Sequence, residues 1–341
     1  MATPPPPQIH QPIHPSIHPL LDPEYVSFHN THFQYIIPDD QKPWDGSART
    51  STQPWPRTSS PLTPVSSIRD IELPNFPVRV FTPNHPRPKD GYPVFIWFHG
   101  GGWAIGGLND GNDLCTLIAD VAKCVVITVG YRLAPEDPYP AAVEDAIAAL
   151  EWVTSPPGSS VLGGIDKSRI AIGGTSAGGN LAAVLAMKAS LLSTPIQIVF
   201  QLLVVPVIDN TATIEGIWKE NQHAPWLTPA RMTWYRDMYI PNPETRFEWQ
   251  ASPNLAPVEL LANSPDTFIA VSGQDLLAPE ARSYAGVLEQ AWKGEGVEGR
   301  NVEVKVYEGG THSILAMSGV LSQGKLLLRD CAERVSRAFS N

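Results

Sequence analysis

Basic residues, cysteines and long apolar runs are all scarce in this sequence. Lys and Arg number 24 against 34 Asp and Glu, a net charge of −10, and no basic stripe is visible. A phosphate backbone is bound through such a stripe, so nucleic acid is excluded as a partner, and the acidity implies solubility only. The three cysteines are Cys115, Cys124 and Cys331, with no CxxC pair. That odd, scattered set excludes a disulfide framework and a cysteine zinc site, and is read as reduced and buried. The longest apolar stretch, Ile198 to Ile208, is broken by Gln201 and Pro206. It falls short of the about 20 residues of a transmembrane helix. The first residues show no charged and then apolar leader, and no Asn-x-Ser/Thr sequon occurs, so the expectation is a cytoplasmic protein. His10, His14 and His18 have the spacing of a metal-binding helix face, but Pro12 and Pro15 forbid that helix, and no metal is expected.

What is present is enough apolar residue, 43% of 341, to bury a large core. More than half of the 35 prolines fall in the first 100 residues. Residues 1–22, with Pro4 to Pro7 and the repeated Ile-His-Pro, read as an extended arm, and residues 40–66 as a long loop and lid element. Beyond them lie eight β-branched or aromatic runs: Ile68–Leu73, Val78–Phe81, Val94–Phe98, Val125–Val129, Ile170–Ile172, Ile198–Val205, Thr267–Val271 and Val302–Tyr307. From the third run onward helical stretches intervene, at Leu114–Ala122, Ala141–Val153, Ala177–Leu191, Glu280–Trp292 and Leu321–Phe339. Alternation of this kind predicts an α/β fold with a mostly parallel sheet covered on both faces. The interval from Val205 to Thr267 is too long for a crossover and carries a helix-like piece at Thr228–Tyr239, so it is an insertion.

The most informative segment is Arg169-Ile-Ala-Ile-Gly-Gly-Thr-Ser-Ala-Gly-Gly-Asn-Leu. It places Gly174-Thr-Ser176-Ala-Gly178 between a strand and a helix, the setting in which G-x-S-x-G lifts a serine hydroxyl above a sheet. A serine needs a base at neutral pH, and in such folds the acid and then the histidine follow it in the chain. His312, just past Val302–Tyr307, is the histidine near a strand end; His223 lies inside the insertion. Asp275, just beyond Thr267–Val271, is the first choice of acid, with Asp209 and Glu280 as competitors. His99-Gly-Gly-Gly-Trp103 follows Val94–Phe98, so the backbone N–H groups of Gly101, Gly102 and Ala177 are candidate donors to an oxyanion. His99 then braces that loop.

Together these residues resemble the hormone-sensitive-lipase-like (family IV) esterases of the α/β-hydrolase superfamily, from about Val94 to His312. Tyr131-Arg-Leu-Ala-Pro-Glu136 and Pro138-Tyr-Pro-Ala-Ala-Val-Glu-Asp145 are similar to a family stretch that is usually structural. Two segments depart from the pattern. The acid segment reads Asp275-Leu-Leu-Ala-Pro-Glu-Ala281, with Leu276, Ala278 and Pro279 differing, and His312 is followed by Ser-Ile. The resemblance implies an α/β-hydrolase core at 67–208 and 250–341, with a helical cap built from the arm (1–66) and the insertion (209–249). It assigns the triad roles to Ser176, Asp275 and His312. Trp103, Trp218, Trp226, Trp234 and Tyr235 are expected to line an apolar substrate pocket, with Trp249 near them. The arm looks like that of fungal arylacetamide-deacetylase-like proteins.

The implied activity is hydrolysis of a small carboxylic ester, as a carboxylesterase or deacetylase, with no cofactor. Three rival readings stand beside it. One is a tailoring hydrolase or cyclase of specialised metabolism acting on a complex ester or lactone. Another is an amidase, and the last is a non-catalytic small-ligand receptor. A homodimer through an exposed edge strand is left open.

Overall fold

The computed structural model describes residues 7–50 and 58–340. The Pro4–Pro6 part of the arm and the 51–57 part of the expected lid loop lie outside the described residues. Eight strands form one sheet: β1 (Ser67–Glu72), β2 (Pro77–Thr82), β3 (Tyr92–Phe98), β4 (Val125–Val129), β5 (Ile165–Thr175), β6 (Phe200–Val204), β7 (Asp266–Ser272) and β8 (Val302–Tyr307). Their order is β1-β2-β4-β3-β5-β6-β7-β8. The β1–β2 and β2–β4 pairs are antiparallel, and every later pair is parallel. All eight runs picked out by sequence are therefore strands of this sheet.

The helices are α1 (Pro23–Thr31), α2 (Asn112–Val121), α3 (Ala141–Thr154), α4 (Pro156–Val161), α5 (Ala177–Lys188), α6 (Pro229–Tyr239), α7 (Val258–Leu261), α8 (Ala278–Gly294) and α9 (Ser322–Ala338). Two of the expected boundaries shift for local reasons. Thr228 accepts from the Arg231 N–H and so caps α6 one residue later than expected, with Pro229 as first helical residue. The last turn expected of α5 is a separate 3₁₀ turn at Ala189–Leu191. Within the arm, α1 was not anticipated. It begins at Pro23 behind Asp22, whose carboxylate accepts from the Glu24 N–H, a start signal hidden among the surrounding prolines.

Every residue of β3 and β4 is buried, because helices cover both faces of the central sheet. The strand period of two still sorts their side chains. Val94, Ile96 and Phe98 join the apolar layer shared with α3, α5 and α8, while Phe95 and Trp97 join the layer beneath α2 and α9. At one edge, β1 carries Arg69, Asp70 and Glu72 and is largely exposed, charge that discourages edge pairing.

The segment between β6 and β7 holds α6, α7 and short 3₁₀ turns, and lies above the carboxyl ends of the strands. The arm folds down beside it. Leu21, Tyr25 and Phe33 pack on Met317 and Leu321, and the Asp22 N–H donates to the Gly309 carbonyl at 3.0 Å. Among the described residues, no helix is long and apolar enough to cross a membrane.

Candidate active site

Strand β5 runs into α5 through Ser176, whose backbone has φ 55° and ψ −118°. A side-chain-bearing residue rarely adopts such values, and holding one there costs about 1–3 kcal/mol. The turn is too crowded for Cβ atoms at its flanks. A Cβ on Gly174 would lie 2.1 Å from the Gly178 carbonyl oxygen, and one on Gly178 would lie 2.1 Å from that of Phe98. The spacing G-x-S-x-G is thus a steric requirement of this turn. The Ser176 N–H donates to Val204, and its carbonyl accepts from Val207, fixing the turn between β5 and the end of β6.

Three sequence-distant side chains meet here. His312 lies in the loop after β8, with Nε2 2.9 Å from Ser176 Oγ and Nδ1 2.9 Å from Asp275 Oδ2. An ionised carboxylate only accepts, so Nδ1 carries the proton and Nε2 is left to accept from the serine hydroxyl. Asp275 is 1% exposed, and its other oxygen accepts from the Leu277 N–H. The competing acids are committed elsewhere. Asp209 accepts from the Thr211 N–H and hydroxyl. Glu280 accepts from the N–H groups of Ile208 and Asp209 and from the Trp218 indole.

Opposite the serine, Gly101 (φ 110°) and Gly102 (φ 57°) turn back from the end of β3. Among the described residues, the N–H groups of Gly101, Gly102 and Ala177 have no hydrogen-bond acceptor, and that of Ala177 opens the first turn of α5. His99 Nδ1 lies 2.7 Å from the Gly100 carbonyl, and the ring stacks on Tyr131 at 4.3 Å. Burial pushes its pKa below the usual imidazole range. A neutral, packed ring suits a brace.

The five aromatic residues expected in one pocket are spread across several contacts. Trp103 is fully buried against the face of Tyr239 at 4.4 Å. Trp218 and Trp234 border a cleft of about 600 Å³ on the insertion. Trp226 packs on Phe33 at 4.4 Å and borders a separate cavity of about 290 Å³ between arm and insertion. Tyr235 lies on the glycine turn after β3, so close that a Cβ on Gly102 would fall 2.2 Å from its Cγ. Trp249 sits under the Lys188 ammonium instead. Rings this large find partners wherever burial is available, and sequence spacing does not choose among them.

Sequence reading missed Asn221. Its amide, in the insertion, donates to the carbonyls of Gly273 and Asp275, at 3.0 and 2.6 Å, and so holds the acid loop from above. An Asn followed by Gln and His carries no local signal of that contact.

With the geometry in view, the chain can be set beside known proteins. A family model described as alpha/beta hydrolase fold matches residues 95–316, from β3 to just past His312. The chain belongs to the α/β-hydrolase family. An AB hydrolase superfamily protein of Schizosaccharomyces pombe is 39% identical over 96% of this chain and 97% of its own length. Esterase LipI of Mycobacterium tuberculosis is 36% identical over 79% of this chain and 83% of its own. A solved fungal esterase from Rhizomucor miehei superposes with a TM-score of 0.79 at 26% identity, over 94% of this chain and 97% of its own. The mostly parallel, eight-stranded sheet expected from sequence is the one observed, and the likeness to the family IV esterases holds.

Two expected outcomes follow from the packing around Ser176 and Glu280. Gly178→Ala forces a methyl group into the Phe98 carbonyl and should destabilise the protein by about 3 kcal/mol in urea unfolding. Wild-type stability would show that the approach of β3 to the turn is not the constraint. Burial pushes Glu280 from 4.5 up to about 8, against the opposing pull of its N–H donors. The native state therefore keeps this proton where the unfolded chain has lost it, and stability should decline as pH rises from 4.5 through about 8. Glu280→Gln removes that titration. The urea midpoint of wild type relative to the variant should drop across this window, and a difference constant with pH would contradict the burial argument.

Proposed function

We propose that this α/β-hydrolase is a serine carboxylesterase that cleaves small carboxylic esters through an acyl-enzyme. The observation that carries the reading is the continuous relay from Asp275 through His312 to Ser176, beside the N–H groups of Gly101, Gly102 and Ala177, which have no acceptor among the described residues. Relatives named as esterases support an ester as substrate.

In this reading Ser176 Oγ attacks the ester carbonyl while its proton passes to His312 Nε2, and Asp275 stabilises the imidazolium. The carbonyl oxygen takes up negative charge and is met by the N–H groups of Gly101, Gly102 and Ala177. Donors of this kind are worth about 10²–10³ in turnover apiece. Collapse breaks the ester C–O bond, and His312 gives its proton to the departing alkoxide, releasing the alcohol. A water molecule deprotonated by His312 then attacks the acyl carbon, and the second collapse returns Ser176 and frees the acid. The arm and the segment 209–249 serve as the cap over this site. Tyr235, lying on the oxyanion turn, borders the acyl group, which favours short acyl chains such as acetyl.

With para-nitrophenyl acetate, wild type should give a nitrophenol burst matching the enzyme concentration. Ser176→Ala should lose the burst and at least about 10³-fold of turnover. A variant within about tenfold of wild type would remove the nucleophile assignment. Comparing acetate with hexanoate sizes the acyl side, and faster hexanoate turnover would overturn the short-chain preference.

A further inference from the structure

The Glu136 carboxylate of the Tyr131–Glu136 stretch does not touch the triad. Its partners come instead from the N-terminal arm. Arg49, in the short 3₁₀ turn Ser47–Arg49, places Nη2 2.5 Å from Glu136 Oε2. The same guanidinium donates through Nη2 to the Ala134 carbonyl at 2.7 Å and through Nε to the Ala104 carbonyl at 2.8 Å. The Trp44 ring lies 5.0 Å from the guanidinium carbon.

The Ala104 carbonyl belongs to the turn that carries Gly101 and Gly102, and Ala134 lies in the Tyr131–Glu136 stretch that bonds to that turn. The N–H groups of Ala104 and Ile105 both donate to the Gly101 carbonyl, at 3.1 and 3.0 Å, and the Ala134 N–H donates to Trp103 at 2.8 Å. Arg49 therefore ties down the far side of both strands of contact that shape the turn. Trp44 closes a second path, meeting Trp234 edge to face at 5.7 Å. Trp234 packs on Tyr235 at 4.9 Å, and Tyr235 lies on Gly102.

We infer that Trp44 and Arg49 form a clamp by which the arm positions the oxyanion-binding turn, with Arg49 as a positioning residue for catalysis. The inference rests on the proposed role of Gly101 and Gly102. Glycine-rich backbone has little intrinsic preference for one conformation, so N–H groups aimed at an oxyanion need an external brace. A fork of fixed N–H directions reaches three acceptors at once, which an ammonium on a flexible stem does not. The clamp acts where charge develops, so its loss lowers kcat and leaves KM nearly unchanged.

The test compares wild type, Arg49→Ala, Arg49→Lys, Trp44→Leu and a distant control, Arg169→Gln, which loses only a partly exposed bond to Asp166. Each is measured for kcat and KM on para-nitrophenyl acetate, for the rate of labelling by a fluorophosphonate, and for thermal midpoint. Arg49→Ala should lose about 10- to 100-fold in both kcat and labelling rate, the scale of a small misplacement at a reacting centre. Its KM should stay within about twofold, and added ethylguanidinium should restore part of the rate. Arg49→Lys should remain impaired, and Arg169→Gln should match wild type.

A kcat and labelling rate for Arg49→Ala within about twofold of wild type would overturn the clamp. So would full rescue by Arg49→Lys, which would reduce the contact to a simple charge pair, or a loss confined to KM. If Arg49→Ala does not fold, Trp44→Leu carries the same expected split, and unchanged kcat there overturns the proposal. Ser176→Ala measured alongside separates the two levels. Full turnover in Ser176→Ala removes the catalytic reading itself. An inert Ser176→Ala beside a fully active Arg49→Ala removes only the clamp.

Discussion

A serine held at φ 55° and ψ −118° is a strained residue, and most of the site depends on what keeps it there. The turn is closed by three approaches at or near contact distance. Gly174 meets Gly178, Gly178 meets the end of β3, and Gly179 meets Pro206 beyond β6. Three parallel strands therefore converge on one residue, with β3 and β6 buried throughout and β5 buried from Ile170 to Gly174. A local distortion of about 1–3 kcal/mol is affordable only inside such a core, where shifting one strand would disturb the others. The same convergence delivers the chemistry. It lifts the hydroxyl toward His312, opens the first turn of α5, and brings the glycine turn after β3 alongside.

The remaining parts are held by polar contacts that reach across the chain. Asn221 holds the loop of Asp275 from the insertion. Glu280 gathers two backbone N–H groups and an indole around one buried carboxyl group, joining α8 to the segment that leaves β6. Such a group stabilises only while every donor stays paired, since an orphaned buried N–H costs about 1–3 kcal/mol. Arg49 does the corresponding work for the glycine turn, from a segment 55 residues earlier than the carbonyl it grips. The arm and the segment between β6 and β7 are thus bound to the loops of Asp275 and Gly101 through directional bonds as well as apolar packing, which restricts how far either can shift alone.

The parts of this architecture that could be read from sequence share a physical origin: they are local. Short β-branched and aromatic runs named the strands, because a strand buried on both faces must be apolar over most of its length. The turn at Ser176 was legible because its crowding excludes a side chain at two fixed positions, and the glycines record that exclusion directly. Asp275 and His312 drew attention by their places just past strand ends, where an open parallel sheet exposes its loops on one side. Helix α1 escaped because prolines on either side obscured its start.

What only the tertiary structure decided are the partners. Asp275, Asp209 and Glu280 are carboxylates that all follow strands, and nothing in their flanking residues says which one meets His312. The distances do: Asp275 lies 2.9 Å from His312, while Asp209 is bonded to Thr211 and Glu280 to Ile208, Asp209 and Trp218. Likewise the tryptophans announced burial but not location, since an aromatic ring gains nearly the same from any apolar wall. The bond from Arg49 to Ala104 has no sequence signature at all: its acceptors are backbone carbonyls, identical in every residue. Sequence by itself determined the sheet, the strained turn and the three types of reacting group, all consequences of local sterics and periodicity. Pairings between distant polar atoms are decided by the folded geometry, and that geometry set which carboxylate meets His312, what Arg49 bonds and where the tryptophans pack.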